Sequence, residues 1–115
     1  MKNVPQENPI ESYMRQAESK LVAAEMTLTR NSSDAVKCLK DAATMIHAIS
    51  DLVRICVYVE GPTEYLKQAE DLALASAKIG DKLSESSDRA EIREALAQLK
   101  SILEGCRPML DDLLK

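Results

Sequence analysis

Apolar side chains stand at Ile10, Met14, Ala17, Leu21, Ala24 and Leu28, in steps that alternate between four and three residues. That stepping keeps one stripe of an α-helix turned one way. A strand, with its period of two, would scatter the same residues over both faces. The pattern returns three times. It runs through Ala35, Leu39, Ala42, Ile46, Ile49, Val53 and Cys56. It runs again through Tyr65, Ala69, Leu72, Ser76, Ile79 and Leu83, and last through Ile92, Leu96, Leu99, Leu103, Cys106, Leu110 and Leu113. Four amphipathic helices with heptad-like seams follow.

Punctuation separates the four runs. Asn8 is placed to cap the first helix, with Pro9 at its first position and Glu11 completing a capping box. Glu11 and Arg15 form a favourable pair four residues apart. Ser33 is the expected cap of the second helix, with Asp34 at the positive end of its dipole. Gly61 suits a left-handed C-terminal position, and Pro62 cannot continue the helix. Thr63 is expected to cap the third helix, whose seam is the weakest because Ser76 interrupts it and Gly80 lies beside it. Asp88 and Glu91 form a capping box for the fourth. Pro108 falls inside that last run, so the fourth helix is expected to kink there or to break into a short final piece.

Each connection is a few residues long, which turns neighbouring helices antiparallel. The expected fold is all-α: an antiparallel up-down-up-down four-helix bundle over residues 9–115, after a flexible segment at 1–8. Three helices with a detached fourth are the rival arrangement. The core lacks Phe and Trp, and the alanine and leucine that replace them let helix axes approach closely.

The stretch VRICVYV, Val53–Val59, tests this assignment, because Val53, Ile55, Val57 and Val59 alternate as strand residues do. A strand needs a partner, and no other segment of the chain reads as one. The heptad seam also enters the stretch without a change of phase, and packing overrides the small helix penalty of valine and isoleucine. It is therefore read as helix. With the seam turned inward at about 100° per residue, Ile55 and Tyr58 point away from the core. Leu52 and Val59 lie to the side. Leu74 on the third helix also faces outward. An apolar cluster at one end of one helix wants a cover. The expected cover is a protein partner, most simply a second copy in a two-fold homodimer. The competing expectation is that MLDDLLK, after Pro108, folds over the patch.

Candidate chemistry is sparse. His47, the only histidine, is turned outward as a phosphorylatable histidine would be. The residues that follow it, AISD, lack the lysine and small residues of a phosphotransfer signature. A di-iron bundle needs Glu-x-x-His on two helices, and one histidine cannot supply it. Neighbouring acids such as Glu70 and Asp71, Glu91 and Glu94, or Asp111 and Asp112 suit solvated faces and helix ends. Cys38, Cys56 and Cys106 have no base within reach along the chain and behave as small apolar residues. LDDLL, Leu110–Leu114, has the form of a leucine box that docks in a groove, although a core-facing last turn explains it equally well. Met14, Met26, Met45 and Met109 are expected to fill gaps in the core. No cofactor, metal or catalytic residue is expected.

Bulk properties narrow the partner. The formal charge is −4, with both signs mixed along the chain, so there is no basic face for nucleic acid. No uninterrupted apolar run approaches the ~20 residues that span a bilayer, and the first ten residues lack the apolar core of a signal peptide. Three separated cysteines do not form a secreted disulfide framework, and the sequon at Asn31 carries no weight without secretion. A cytoplasmic, non-enzymatic protein–protein interaction module of adaptor, chaperone or inhibitor type is expected. It would act through Leu52, Ile55, Tyr58, Val59 and Leu74. A phosphotransfer-like signalling bundle using His47 is the alternative.

Overall fold

A computed structural model describes residues 8–114 and contains four α-helices: α1 Pro9–Thr27, α2 Ser32–Glu60, α3 Glu64–Lys82 and α4 Arg89–Leu113. The described residues include no strand. The expected flexible segment, 1–8, lies outside them except for Asn8. Val53–Val59 is helical throughout.

Helix α2 is the central element. It packs against each of the other three, and α4 packs against α1, α2 and α3, while α1 and α3 do not touch. A detached fourth helix is thereby excluded. The unequal roles explain why α2 buries more than one seam. Beside Ala35, Leu39, Ala42, Ile46, Ile49 and Val53 it buries Val36, Ala43, Ser50 and Val57, spaced seven residues apart. The end of its seam differs from the expected one. Cys56 is exposed and Val57 is buried in its place. An ideal helix drifts about 20° per heptad against a strict seven-residue repeat. After three heptads the inward direction has moved on to the neighbouring residue.

Helix ends are set by local chemistry. The Asn8 carboxamide oxygen accepts from the Ile10 N–H at 2.9 Å. The cap of α2 is Asn31, not Ser33. Asn31 has extended backbone, and its side chain accepts from the Asp34 N–H at 3.2 Å, while Ser33 is already inside the helix. Thr63 occupies the cap position of α3 but its side chain makes no capping bond. Gly61 is not left-handed. Its φ is −93°, and a Cβ there would lie 2.7 Å from the Val57 Cα. Glycine is needed for a close turn rather than for a positive φ. Asp88 and Glu91 form the full capping box of α4, at 2.8 and 3.0 Å.

Pro108 does not break α4, which continues to Leu113. Pro108 itself is exposed, while Met109 and Leu110 after it are buried. Their packing holds the last turn in place although the Pro108 ring removes one backbone donor. Met14 and Met109 fill the core as expected. Met45 is half-buried against it, and Met26 is exposed, contrary to expectation.

Close approach of α2 and α3 depends on small residues. A Cβ on Gly80 would meet the Ala43 Cβ at 3.3 Å. Ser50 and Ser76 are fully buried. Each satisfies its hydroxyl on its own helix, Ser50 on the His47 carbonyl at 2.6 Å and Ser76 on the Ala73 carbonyl at 3.1 Å. Ser76 therefore sits in the seam rather than interrupting it.

Candidate functional site

The outer face of α2 is the apolar surface to be explained. Ile55, Tyr58 and Val59 keep 61%, 86% and 74% of their surface exposed. Cys56 beside them is exposed as well, and Leu52 is half-buried with its inner side against the core. No described residue covers the cluster. The segment after Pro108 does not reach over it. Met109 and Leu110 point into the bundle, and Asp112 accepts a hydrogen bond from the Tyr65 hydroxyl at 2.8 Å. Leu110, Leu113 and Leu114 of LDDLL pack in or against the core, so those leucines are not free to dock elsewhere.

Leu74 stands apart in character. It is 64% exposed, but its neighbours three and four residues away on α3 are Glu70, Asp71, Ala77 and Lys78. It is a single apolar side chain among charges, an ordinary surface feature. Val22 and Met26, one turn apart on α1, form a further small exposed pair.

The α2 cluster is longer than wheel reasoning at its end suggested. Met45, Ala48, Leu52, Ile55 and Val59 step by three, four, three and four. Exposure grows along this stripe, from half-buried at Met45, Ala48 and Leu52 to exposed at Ile55 and Val59. It is a second heptad seam on the opposite side of α2 from the core seam. The signal was present in the sequence, but it is masked when one seam per helix is sought. This double apolar character also makes Ser32–Val59 long and apolar enough to cross a membrane by length and composition. A search for uninterrupted apolar runs passes over it. The same residues are the middle of a core helix, with Asp34, Lys37, Asp41, Asp51 and Arg54 on its exposed side.

His47 is exposed on α2. Its Nδ1 lies 3.7 Å from the Asp51 carboxylate, which is also 3.8 Å from the Arg54 guanidinium. These residues edge a groove of about 470 Å³ between α2 and α3, also lined by Lys40, Thr44, Gly80 and Asp81. The Lys40 ammonium is committed to the Gly80 carbonyl at 2.8 Å, and the acids at Asp51 and Asp81 disfavour a phosphoryl group. No group of three or more His, Cys, Asp or Glu side chains converges among the described residues. Cys106 is buried, and burial pushes its thiol up to about 11, away from the thiolate needed for nucleophilic work.

Compared with protein-family models, curated proteins and solved structures, the chain matches none.

Proposed function

We propose that the protein is a non-enzymatic interaction module whose docking surface is the outer face of α2, centred on Leu52, Ile55, Tyr58 and Val59. The observation that carries this reading is the exposure of a heptad-spaced apolar stripe on a helix whose opposite face already fills the core. A seam of that spacing fits a helix of a partner. Self-association is the simplest form of such pairing, and the mixed charge of the chain and the missing basic face disfavour nucleic acid. A cytoplasmic setting is part of the same reading.

The helices are taken to alternate in direction, up-down-up-down. Contacts far apart in the chain support this. Glu18 pairs with Arg107 at 3.1 Å, Glu25 with Lys100 at 3.0 Å, and the Thr29 carbonyl accepts from Arg89 at 3.3 Å. Positions that rise along α1 thus meet positions that fall along α4. A bend of α4 at Pro108 is also proposed, since the ring crowds the carbonyl four residues earlier.

Hydroxyl-radical footprinting of the full chain, diluted and concentrated and with any co-purifying protein, tests the docking surface. Protection of Met45, Cys56 and Tyr58 in the associated state supports it. Undiminished reactivity of these three in every associated state overturns it. Phosphotransfer on His47 is the lesser reading. A phosphoramidate formed on His47 from an acyl phosphate would restore it.

A further inference from the structure

The geometry points to a second copy of this chain as the occupant of the α2 face, held by antiparallel α2–α2 pairing about a two-fold axis that passes between Leu52 and Ile55. This inference rests on the proposed docking surface and names its occupant and register.

Three observations carry it. The first is self-complementarity. With the axis midway between Leu52 and Ile55, Leu52 of one copy faces Ile55 of the other, and Ala48 faces Val59. Every layer is then apolar on both sides. The small residue sits opposite the larger one, so the layers interlock as knobs into holes. The two exposed members, Ile55 and Val59, meet the two half-buried ones, Leu52 and Ala48. The most exposed surface is therefore set against the most firmly supported surface.

The second is the absence of charge beside the stripe. Lys20 of α1 pairs with Asp41 of α2 at 3.4 Å, which identifies the α1 face that borders α2. On that face, in the turns before Lys20, stand Gln16, Tyr13, Ser12 and Pro9, none of them charged. Gln16 donates to Ser12 at 3.1 Å. On the other side Asp51 is paired with Arg54 and His47. Two copies of an acidic chain repel least where neither presents net charge, and interface centres are depleted in charged side chains. A partner of opposite charge would find nothing here to complement.

The third is length. Pro9 stands as far before Lys20 as Leu52 stands after Asp41, 11 residues in each case. With α1 and α2 running in opposite directions, α1 begins about level with Leu52. Beyond that level, on its outer side, α2 has no described neighbour, and Ile55 and Val59 are the residues there. A second α2 entering antiparallel would fill the step on both copies at once.

The test is thiol cross-linking in a background of Cys38→Ser, Cys56→Ser and Cys106→Ala, with Ala48→Cys on one batch of chains and Val59→Cys on another. Mixed and oxidised, the two should form the 48–59 heterodimer in large excess over either homodimer. In this register two copies of position 48 lie about 16 Å apart along the axis. A doubled mass by light scattering together with 48–48 or 59–59 links overturns the register and leaves the docking surface standing. A monomer that floats with phosphatidylcholine–phosphatidylglycerol vesicles overturns the second copy in favour of a membrane. A monomer with α2 unprotected in footprinting overturns both the register and the docking surface. Should the cysteine-free background not fold, Ala48→Lys and Val59→Glu in the native background give the same answer. Each alone should lose the doubled mass and the mixture should regain it. A mixture that stays monomeric overturns the pairing.

Discussion

The Lys40 ammonium on α2 donates to the Gly80 carbonyl on α3 across 2.8 Å. Gly80 lies in the last turn of α3, where carbonyls lack partners within the helix and the dipole favours a cation. Lys40 thus closes a helix that is not its own, and it does so where Gly80 approaches Ala43. Lys40→Met keeps the length of the side chain and removes the charge. It should lower stability by about 0.5–1.5 kcal/mol, read as a shift of the urea midpoint with an unchanged slope.

The inward turn of α2 at Val57 rather than Cys56 separates two adjacent substitutions. Val57→Asp places a carboxylate in the core with no partner and should cost more than about 3 kcal/mol. Cys56→Asp lies on the exposed face and should change monomer stability by less than about 0.5 kcal/mol. Thermal melts of dilute protein compare the two. In the core itself, Leu39→Ala removes a fully buried side chain and should cost about 2–5 kcal/mol.

The thiols are graded by burial. Cys56 is exposed, Cys38 half-buried and Cys106 buried with its pKa near 11. A disulfide reagent at neutral pH should label Cys56 first in dilute protein and Cys38 more slowly. Cys106 should be labelled only on unfolding. Mass spectrometry of the labelled peptides gives the order.

Alkali should unfold the bundle through two groups. The Tyr65 hydroxyl donates to Asp112, and that bond, with some burial and the nearby carboxylates of Asp112 and Glu64, raises its pKa above the ordinary 10.0. Burial raises Cys106 from 9.0 to about 11. Both groups hold their protons more tightly when folded. Their stabilisation is complete below the ordinary values and is lost as pH climbs through the raised ones. Melting temperature should therefore stay level up to about pH 9 and fall above it. Tyr65→Phe should make the fall shallower beyond pH 10.

The helices and most of the core were legible because they rest on local periodicity. Leu39, Ile46, Leu72 and Leu99 are buried as their spacing requires, and Asp88 with Glu91 is a complete capping box. What escaped the sequence depends on neighbours. Nothing local says that α2 touches three helices, so Val36, Ala43 and Ser50 were not foreseen in the core. The choice of Asn31 over Ser33 as cap turns on where helical backbone begins, and both residue types are good caps. The Gly61 backbone reflects contact with Val57, which glycine content alone does not reveal. On the candidate surface, Ile55, Tyr58 and Val59 were legible as outward-facing. The link from them back to Met45 and Ala48 was hidden because a single inward seam already accounted for α2.

Sedimentation equilibrium of the native chain beside Ile55→Asp tests most directly whether the outer face of α2 is an interface. Twice the 12.7 kDa chain mass for the native protein, and a single chain mass for a still-helical Ile55→Asp, is the expected result. A native chain that remains monomeric at millimolar concentration, or an Ile55→Asp variant that stays dimeric, would contradict it.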